Sequence, residues 1–217
     1  MKERGLMFKA EMVRAILEGR KTQTRRIVKP EISPFVQQTP DCHPPKHPEP
    51  YLDAYCGEKK TDANPRGMSR DWCWWTRDDR PSLPAAKSAF IPGDVIWVKE
   101  TWAEFPSDGD WIYRAEYSEA LAKDLKWKSA MFMPRRASRL ALIVTDVRVR
   151  RLQDISEEDA KAEGIRDDGA AYLDYMSGDY HFSWAVSSYQ SLWESINGPG
   201  SWDANPWVWA YTFEVKR

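Results

Sequence analysis

Apolar and polar residues alternate along this chain with two different periods, and the breaks between them mark the elements. Glu11–Glu18 carries Met12, Val13, Ile16 and Leu17 at helical spacing, with Glu11, Arg14 and Glu18 on the opposite face, so it predicts a short amphipathic helix. Gly19 follows where a left-handed stop is wanted. Leu6–Phe8 before the helix and Thr22–Val28 after it read as strands, and Pro30 ends the second. Pro92-Gly93-Asp94 predicts a turn into the apolar strand Val95–Val98. Trp111–Glu116 reads as that strand's hairpin partner across Ser107-Asp108-Gly109-Asp110. Leu121 and Leu125 at i, i+4 predict a helix from Ser118 through Trp127.

The second half has the stronger signals. Leu140–Val149 is a long strand with a bend expected near Asp146, and its end alternates Val147 and Val149 with Arg148 and Arg150. Ile155–Glu163 predicts a helix capped by Ser156, with Glu157, Glu158 and Asp159 at its positive end and Gly164 as its stop. That leaves Glu163 in the last turn, where the helix dipole disfavours a carboxylate. Residues 166–179 are polar and predict a loop. Phe182, Val186, Tyr189, Trp193 and Ile196 then share one helical face over Phe182–Ile196, ended by Asn197-Gly198-Pro199-Gly200. Trp207–Val215 alternates Trp207, Trp209, Tyr211, Phe213 and Val215, the pattern of a central strand.

These elements do not alternate strand and helix regularly. They predict an α+β fold with a small, curved sheet or barrel of five or six mostly antiparallel strands and flanking helices. Residues 30–90 stand apart. They hold ten of the fifteen prolines and all three cysteines without periodicity, so they predict a long irregular insertion. The insertion brings Cys42, His43, His47, Cys56 and Cys73 into one region, residue types that suit zinc. No C-x-x-C pair occurs among them, so free thiols and loop histidines are the favoured reading and no metal is expected.

Composition narrows the class. A chain of 217 residues with 42% hydrophobic and 30% charged residues can bury a core. A net charge of −1 does not announce a nucleic-acid binder, although Arg25, Arg26, Arg135, Arg136, Arg139, Arg148 and Arg150 offer local clusters. Three cysteines, an odd number, suit a reducing cytoplasm. Lys2, Glu3 and Arg4 with no apolar run behind them predict no secretory leader, and no apolar run is long enough to predict a membrane span.

The densest chemistry lies in Gly19-Arg20-Lys21-Thr22-Gln23-Thr24-Arg25-Arg26. In one regular strand Lys21 and Thr24 point to opposite faces, so they share a site only if Lys21 belongs to the turn. The pattern Gly19-x-Lys21-x-x-x-x-Arg26 after a short helix resembles the ASCH domain family, with a PUA-like barrel fold. Pro92-Gly93-Asp94-Val95, the strand Leu140–Val149 with the helix Ser156–Glu163, and the closing strand Trp207–Val215 are similar to that family's later elements. Residues 30–90 and about 166–204 are additions to this single domain. Arg-Lys-Thr-Gln-Thr-Arg-Arg and Trp-Asp-Ala-Asn-Pro-Trp resemble long phage or prophage members.

The resemblance implies a function. One branch of the family is an amidohydrolase that removes acyl groups from N4-acylcytidines, using a lysine and threonine of a K-T-x-T motif and a glutamate. Here these match Lys21, Thr24 and Glu163, with no metal or cofactor. Two mechanisms stay open: Thr24 attacks with Lys21 as base and Glu163 as acid, or Glu163 activates water while Lys21 and Thr24 stabilise the oxyanion. Arg26 is expected as a substrate clamp, and Trp102 and Tyr113 as faces on which a base stacks. The rival readings are a non-catalytic RNA-binding module, a metal-independent ribonuclease, and a phage protein whose insertion binds a host target. The expected partner is a modified nucleoside or single-stranded RNA.

Overall fold

The structure is a computed structural model that describes residues 1–29, 51–75, 81–104, 110–118, 123 and 125–216, with the backbone alone for 81–85. In chain order the first elements are β1 (Glu3–Met7), α1 (Ala10–Leu17), β2 (Gln23–Ile27), β3 (Tyr51–Ala54), β4 (Asp71–Trp75) and β5 (Pro81–Lys87). Then come β6 (Val95–Lys99), β7 (Trp102–Glu104), β8 (Trp111–Tyr113), β9 (Ala141–Arg151) and α2 (Glu157–Ala162). The chain closes with β10 (Tyr172–Leu173), β11 (Tyr180–Phe182), α3 (Ala185–Asn197) and β12 (Trp207–Val215). The fold is α+β.

Five strands form the main sheet in the order β1-β6-β9-β12-β2, antiparallel except for the β1–β6 pair. The long β9 and β12 carry it. Their ladder runs from Trp207↔Arg151 to Val215↔Leu142 and slips once, between Thr212↔Asp146 and Phe213↔Val144. Thr145 is the extra residue, so the bend expected near Asp146 is a β-bulge. Among the described residues the strand pairing leaves β1 and β2 as free edges, so the ladders form an open sheet and no closed barrel. The Arg26 guanidinium of β2 reaches the Met7 carbonyl at the end of β1 with an Nη2–O distance of 2.7 Å.

Strand register sorts the side chains into two faces. On one, Arg25, Ala210 and Arg148 stand in a row across β2, β12 and β9, next to the row Gln23, Thr212 and Asp146. On the other, Thr24, Tyr211 and Val147 form one row, and Arg26, Trp209 and Val149 the next. α2 covers the first face. The second meets the inserted segment through edge-to-face pairs: Trp72 with Trp209 at 5.5 Å, Trp74 with Trp207 at 6.1 Å, and Phe90 with Tyr211 at 5.3 Å.

The insertion therefore differs from the irregular segment expected. β3, β4 and β5 form a three-stranded antiparallel sheet docked on the core. It is tied to the predicted turn as well, because Arg70 pairs with Asp94 and donates to the Ala89 carbonyl. Gly93 takes φ 88°, as the turn requires. The second addition also joins the core, through Leu173, Ala185, Tyr189, Leu192, Trp193 and Trp202.

Four boundaries are corrected. Phe182 belongs to β11, and α3 starts three residues later. The stretch 166–179 is not loop throughout, since Tyr172–Leu173 pairs with β11. The hairpin partner of Trp111–Tyr113 is Trp102–Glu104, and Arg114–Glu116 is a 3-10 turn. Of the helix expected at Ser118–Trp127, residues 119–122 and 124 lie outside the described residues, while Ser118 and Leu125–Trp127 are not helical.

Candidate active site

The candidate site is built where the end of α2 meets the start of β2. The Ser156 hydroxyl accepts the Asp159 N–H at 3.1 Å and caps α2, as its sequence predicts. Glu157 in the first turn accepts the Ala185 and Val186 N–H groups at 2.7 and 3.2 Å, which anchors the start of α3 to α2.

At its other end α2 closes on Glu163, and Gly164 turns away at φ 83°. A Cβ on Gly164 would stand 2.7 Å from the Lys21 Cβ and 2.9 Å from the Ala15 Cβ. Only glycine lets Lys21 come this close. Three groups then satisfy the free carbonyls of the helix terminus: the Thr22 N–H on Ala162 (2.9 Å), Lys21 Nζ on Glu163 (2.8 Å) and Arg20 Nη1 on Gly164 (2.7 Å).

This explains the misplaced carboxylate. Glu163 sits at the negative end of the dipole because cations surround it. Lys21 Nζ is 2.6 Å from its Oε2 and Arg25 Nη1 is 3.2 Å from its Oε1. Lys21, Glu163 and Arg25 are 1%, 3% and 3% exposed, so bulk water screens none of these contacts. Lys21 and Glu163 also form an antiparallel β-bridge, which places Lys21 in the turn before β2.

Asp159 lies one turn before Glu163 on the same helical face. It accepts Arg25 Nη2 at 2.7 Å, Gln23 Nε2 at 3.0 Å and Arg148 Nη2 at 3.2 Å. Arg25 also donates to the Gln23 side-chain oxygen. Lys21, Gln23 and Arg25 thus all turn toward α2 and feed two carboxylates four residues apart.

Burial pushes the Lys21 ammonium below its ordinary proton affinity; Glu163 pulls it back, and Arg26 and Arg25 push it down further. Burial pushes the Asp159 carboxyl up, but the Gln23 hydrogen bond and the charges of Arg25 and Arg148 outweigh it and hold it below its ordinary value. Burial, then the Glu163 charge, drives the Tyr189 phenol well above its ordinary range.

A cavity of about 410 Å³ opens beside this network, within the size range of small-molecule sites. Glu163, Arg25, Arg26 and Lys9 supply its charged lining. Phe8, Met12, Tyr189, Leu192 and Trp193 supply its apolar walls. Lys21 is not among the lining residues and stands behind the Glu163 carboxylate.

The residues expected from sequence separate into three groups. Lys21 and Glu163 are brought into contact. Thr24 is not part of that contact: it is fully buried on the opposite sheet face, in the Tyr211 row, and its hydroxyl has no hydrogen-bond partner. Arg26 lines the cavity with its guanidinium 5.2 Å from the Phe8 ring centre. Trp102 and Tyr113 are elsewhere. They pair across β7 and β8 in a second small core with Met133 and Ala137, where Trp102 is 4% exposed and the Tyr113 hydroxyl donates to the Ala137 carbonyl at 2.8 Å. Neither lines the cavity; its aromatic faces come from Phe8, Tyr189 and Trp193 instead.

Of the cysteine and histidine set, Cys42, His43 and His47 lie outside the described residues. Cys56 is exposed and Cys73 buried, both as free thiols.

No protein-family model, curated protein or solved structure matches the chain. Among the described residues, no helix is long and apolar enough to cross a membrane.

Proposed function

We propose that this protein hydrolyses the amide that links an acyl group to the exocyclic nitrogen of an N4-acylated cytidine or a related modified nucleoside. The observation that carries this reading is a buried carboxylate in a cavity wall, Glu163, held 2.6 Å from a buried lysine, Lys21. The open five-stranded sheet is read with it as a relative of the PUA-like barrel, and a reducing cytoplasm as the setting of its free thiols.

Of the two mechanisms, the geometry favours activation of water. Glu163 lines the cavity and Thr24 lies across the sheet. The carboxylate takes one proton from a water as its oxygen bonds the acyl carbon. It then returns that proton to the exocyclic nitrogen as the C–N bond breaks, releasing the free amine and a carboxylic acid. Lys21 orients the carboxylate through its second-row position, and its weakened hold on a proton lets the pair share charge as Glu163 cycles. Phe8, Tyr189 and Trp193 provide flat faces for a base, and Arg26 stands at the wall as a clamp for the polar part of the substrate.

The RNA-binding alternative draws on the same arginines. Arg25, Arg135, Arg139 and Arg148 are each paired with a carboxylate, which reduces the positive charge they offer to phosphates. This supports the hydrolase.

The test is incubation with N4-acetylcytidine. Release of cytidine and acetate is expected, with loss in Lys21→Ala and Glu163→Ala. Substrate left intact by concentrated wild-type protein rejects the reading. Cleavage of single-stranded RNA that disappears in Lys21→Ala replaces it with a nuclease.

A further inference from the structure

We propose that Arg26 and Lys9 form an anion subsite at the open end of the cavity, and that the substrate it selects is the 5′-phosphate of an N4-acylated cytidine, a nucleotide rather than a free nucleoside. This rests on the hydrolytic reading above and names the substrate class of the same site.

The charges around the cavity fall into two sets. Lys21 pairs with Glu163 and Arg25 with Asp159, so each of these cations has a carboxylate. Arg26 and Lys9 line the same cavity and have none among the described residues. Arg26 donates Nη1 to the Arg25 carbonyl at 3.1 Å and Nη2 to the Met7 carbonyl at 2.7 Å. Lys9 Nζ reaches the Ser195 carbonyl at 3.3 Å. Neutral oxygens hold both side chains in place and leave their charge uncompensated.

The Arg26 guanidinium belongs to the cavity wall. Its partners are the Met7 and Arg25 carbonyls and, at 5.2 Å, the Phe8 ring, and all three residues line the cavity. A guanidinium has five N–H groups, and these bonds use two. The Arg26 Nε bonds no described residue and, unlike that of Arg25, is not sealed from solvent. Burial holds its proton affinity below the ordinary value although the Glu163 charge pulls the other way. The group stays charged all the same, so it lacks a counter-charge that a bound anion supplies.

Position tells which part of the substrate is the anion. Glu163 is 3% exposed, whereas Met7 is 49% exposed and Lys9 is exposed too, so the two cations stand at the open end. In cytidine the exocyclic N4 and the ring nitrogen that carries the ribose lie on opposite sides of the base. With the N4 amide at Glu163 and the base among Phe8, Tyr189 and Trp193, the ribose is directed toward the open end. A phosphate on its 5′ oxygen meets Arg26, whose fork matches phosphate oxygens, and Lys9, a point charge. An acidic acyl group would instead bring its charge to the Glu163 end, against a carboxylate. Two cations suit one phosphate, while an RNA strand is held by a run of them.

The experiment measures kcat/KM for N4-acetylcytidine 5′-monophosphate, for N4-acetylcytidine, and for an oligonucleotide with one internal N4-acetylcytidine. Wild type is expected to prefer the monophosphate to the nucleoside by about 10–100-fold, mostly through KM, and the preference is expected to shrink as salt rises. Arg26→Gln keeps a donor for a carbonyl without the charge and is expected to remove most of the preference. Arg26→Lys is expected to retain part of it, and Lys9→Ala to reduce it about two- to fivefold. Equal rates on the monophosphate and the nucleoside in wild type overturn the proposal. So does faster turnover of the oligonucleotide than of the monophosphate, or a preference that Arg26→Gln leaves within about threefold of wild type.

Wild type also supplies a reading that needs neither a variant nor turnover. In calorimetry cytidine 5′-monophosphate is expected to bind at least about tenfold more tightly than cytidine, and equal affinities overturn the subsite. A wild type that leaves both acetylated compounds intact yet binds the monophosphate more tightly rejects the hydrolysis and keeps the subsite. Hydrolysis of both at equal rates rejects the subsite alone.

Discussion

The two faces of β2 and β12 are made by alternate residues of the same strands, yet they cohere by opposite physics. Toward α2, Gln23, Arg25 and Thr212 sit among Asp159, Glu163, Lys21 and Arg148, and nearly every contact is charged or hydrogen-bonded. Toward the inserted sheet, Trp209 and Tyr211 pack on Trp72 and Phe90. The aromatic face stabilises by removing area from water and by edge-to-face contacts. The polar face removes ions from water, a cost that their mutual attraction only offsets. A fold that needed stability alone would make both faces like the aromatic one. The contrast is the physical reason for seeking the site proposed above on the polar face.

The largest expected effect breaks the aromatic face. Trp209→Ala removes the ring that meets both Trp72 and Tyr211. It is expected to cost about 3–5 kcal/mol, read from denaturant unfolding. A loss below about 1 kcal/mol would mean that the inserted sheet is not docked on β12.

The polar face is expected to answer differently. Lys21→Met leaves Glu163 buried with Arg25 paired to it and Arg26 nearby, so the loss falls toward the lower end of about 3–5 kcal/mol. Adding Glu163→Leu to it removes the stranded charge, and the double variant is expected to recover most of that loss while releasing no cytidine from N4-acetylcytidine. Equal stability of the single and the double variant would show that the pair is held for stability after all.

The same contrast explains what the sequence made legible. The bulge near Asp146, the caps at Ser156 and Gly164, and the alternating strand from Trp207 are local signals, and each appears where its residues predict it. β5 hid because Pro81 and Pro84 read as loop; β5 is an edge strand, where a missing N–H is tolerated. Trp102 and Tyr113 pack in the second small core, away from the cavity; residue type does not reveal whether a ring's faces are already covered. Arg25, Gln23 and Asp159 were within reach. Lys21, Gln23 and Arg25 repeat every second residue, and Asp159 and Glu163 are four apart, so each set occupies one face. What no local pattern supplied was that these two faces meet.

A smaller effect separates charge from packing on the polar face. Asp159 has a folded-state proton affinity below its ordinary value, so its contribution is present above the unfolded carboxyl's pKa and is lost as pH falls through the folded one. Lys21, whose ammonium is weakened by burial, acts in the same direction at the alkaline end, where stability rises with pH. Asp159→Asn is therefore expected to melt below wild type at neutral pH, with the gap narrowing under acid. Thermal melts across acid pH check this. A gap independent of pH would assign the loss to packing.

The smallest effect lies at Thr24, an uncharged polar side chain of β2 placed in the Tyr211 row of the aromatic face. Its hydroxyl is fully buried and unpartnered. Valine has the same shape without the oxygen that lacks a bond, so Thr24→Val is expected to raise stability by up to about 1 kcal/mol, seen as a small rise in Tm. Every other polar substitution considered on these strands is expected to lower stability, which makes the sign decisive. A fall in Tm would give the hydroxyl a partner and move Thr24 to the polar side of the comparison. A rise would leave it as a polar residue on the aromatic face whose oxygen the fold does not use, and would leave Lys21 and Glu163 without Thr24 as a partner.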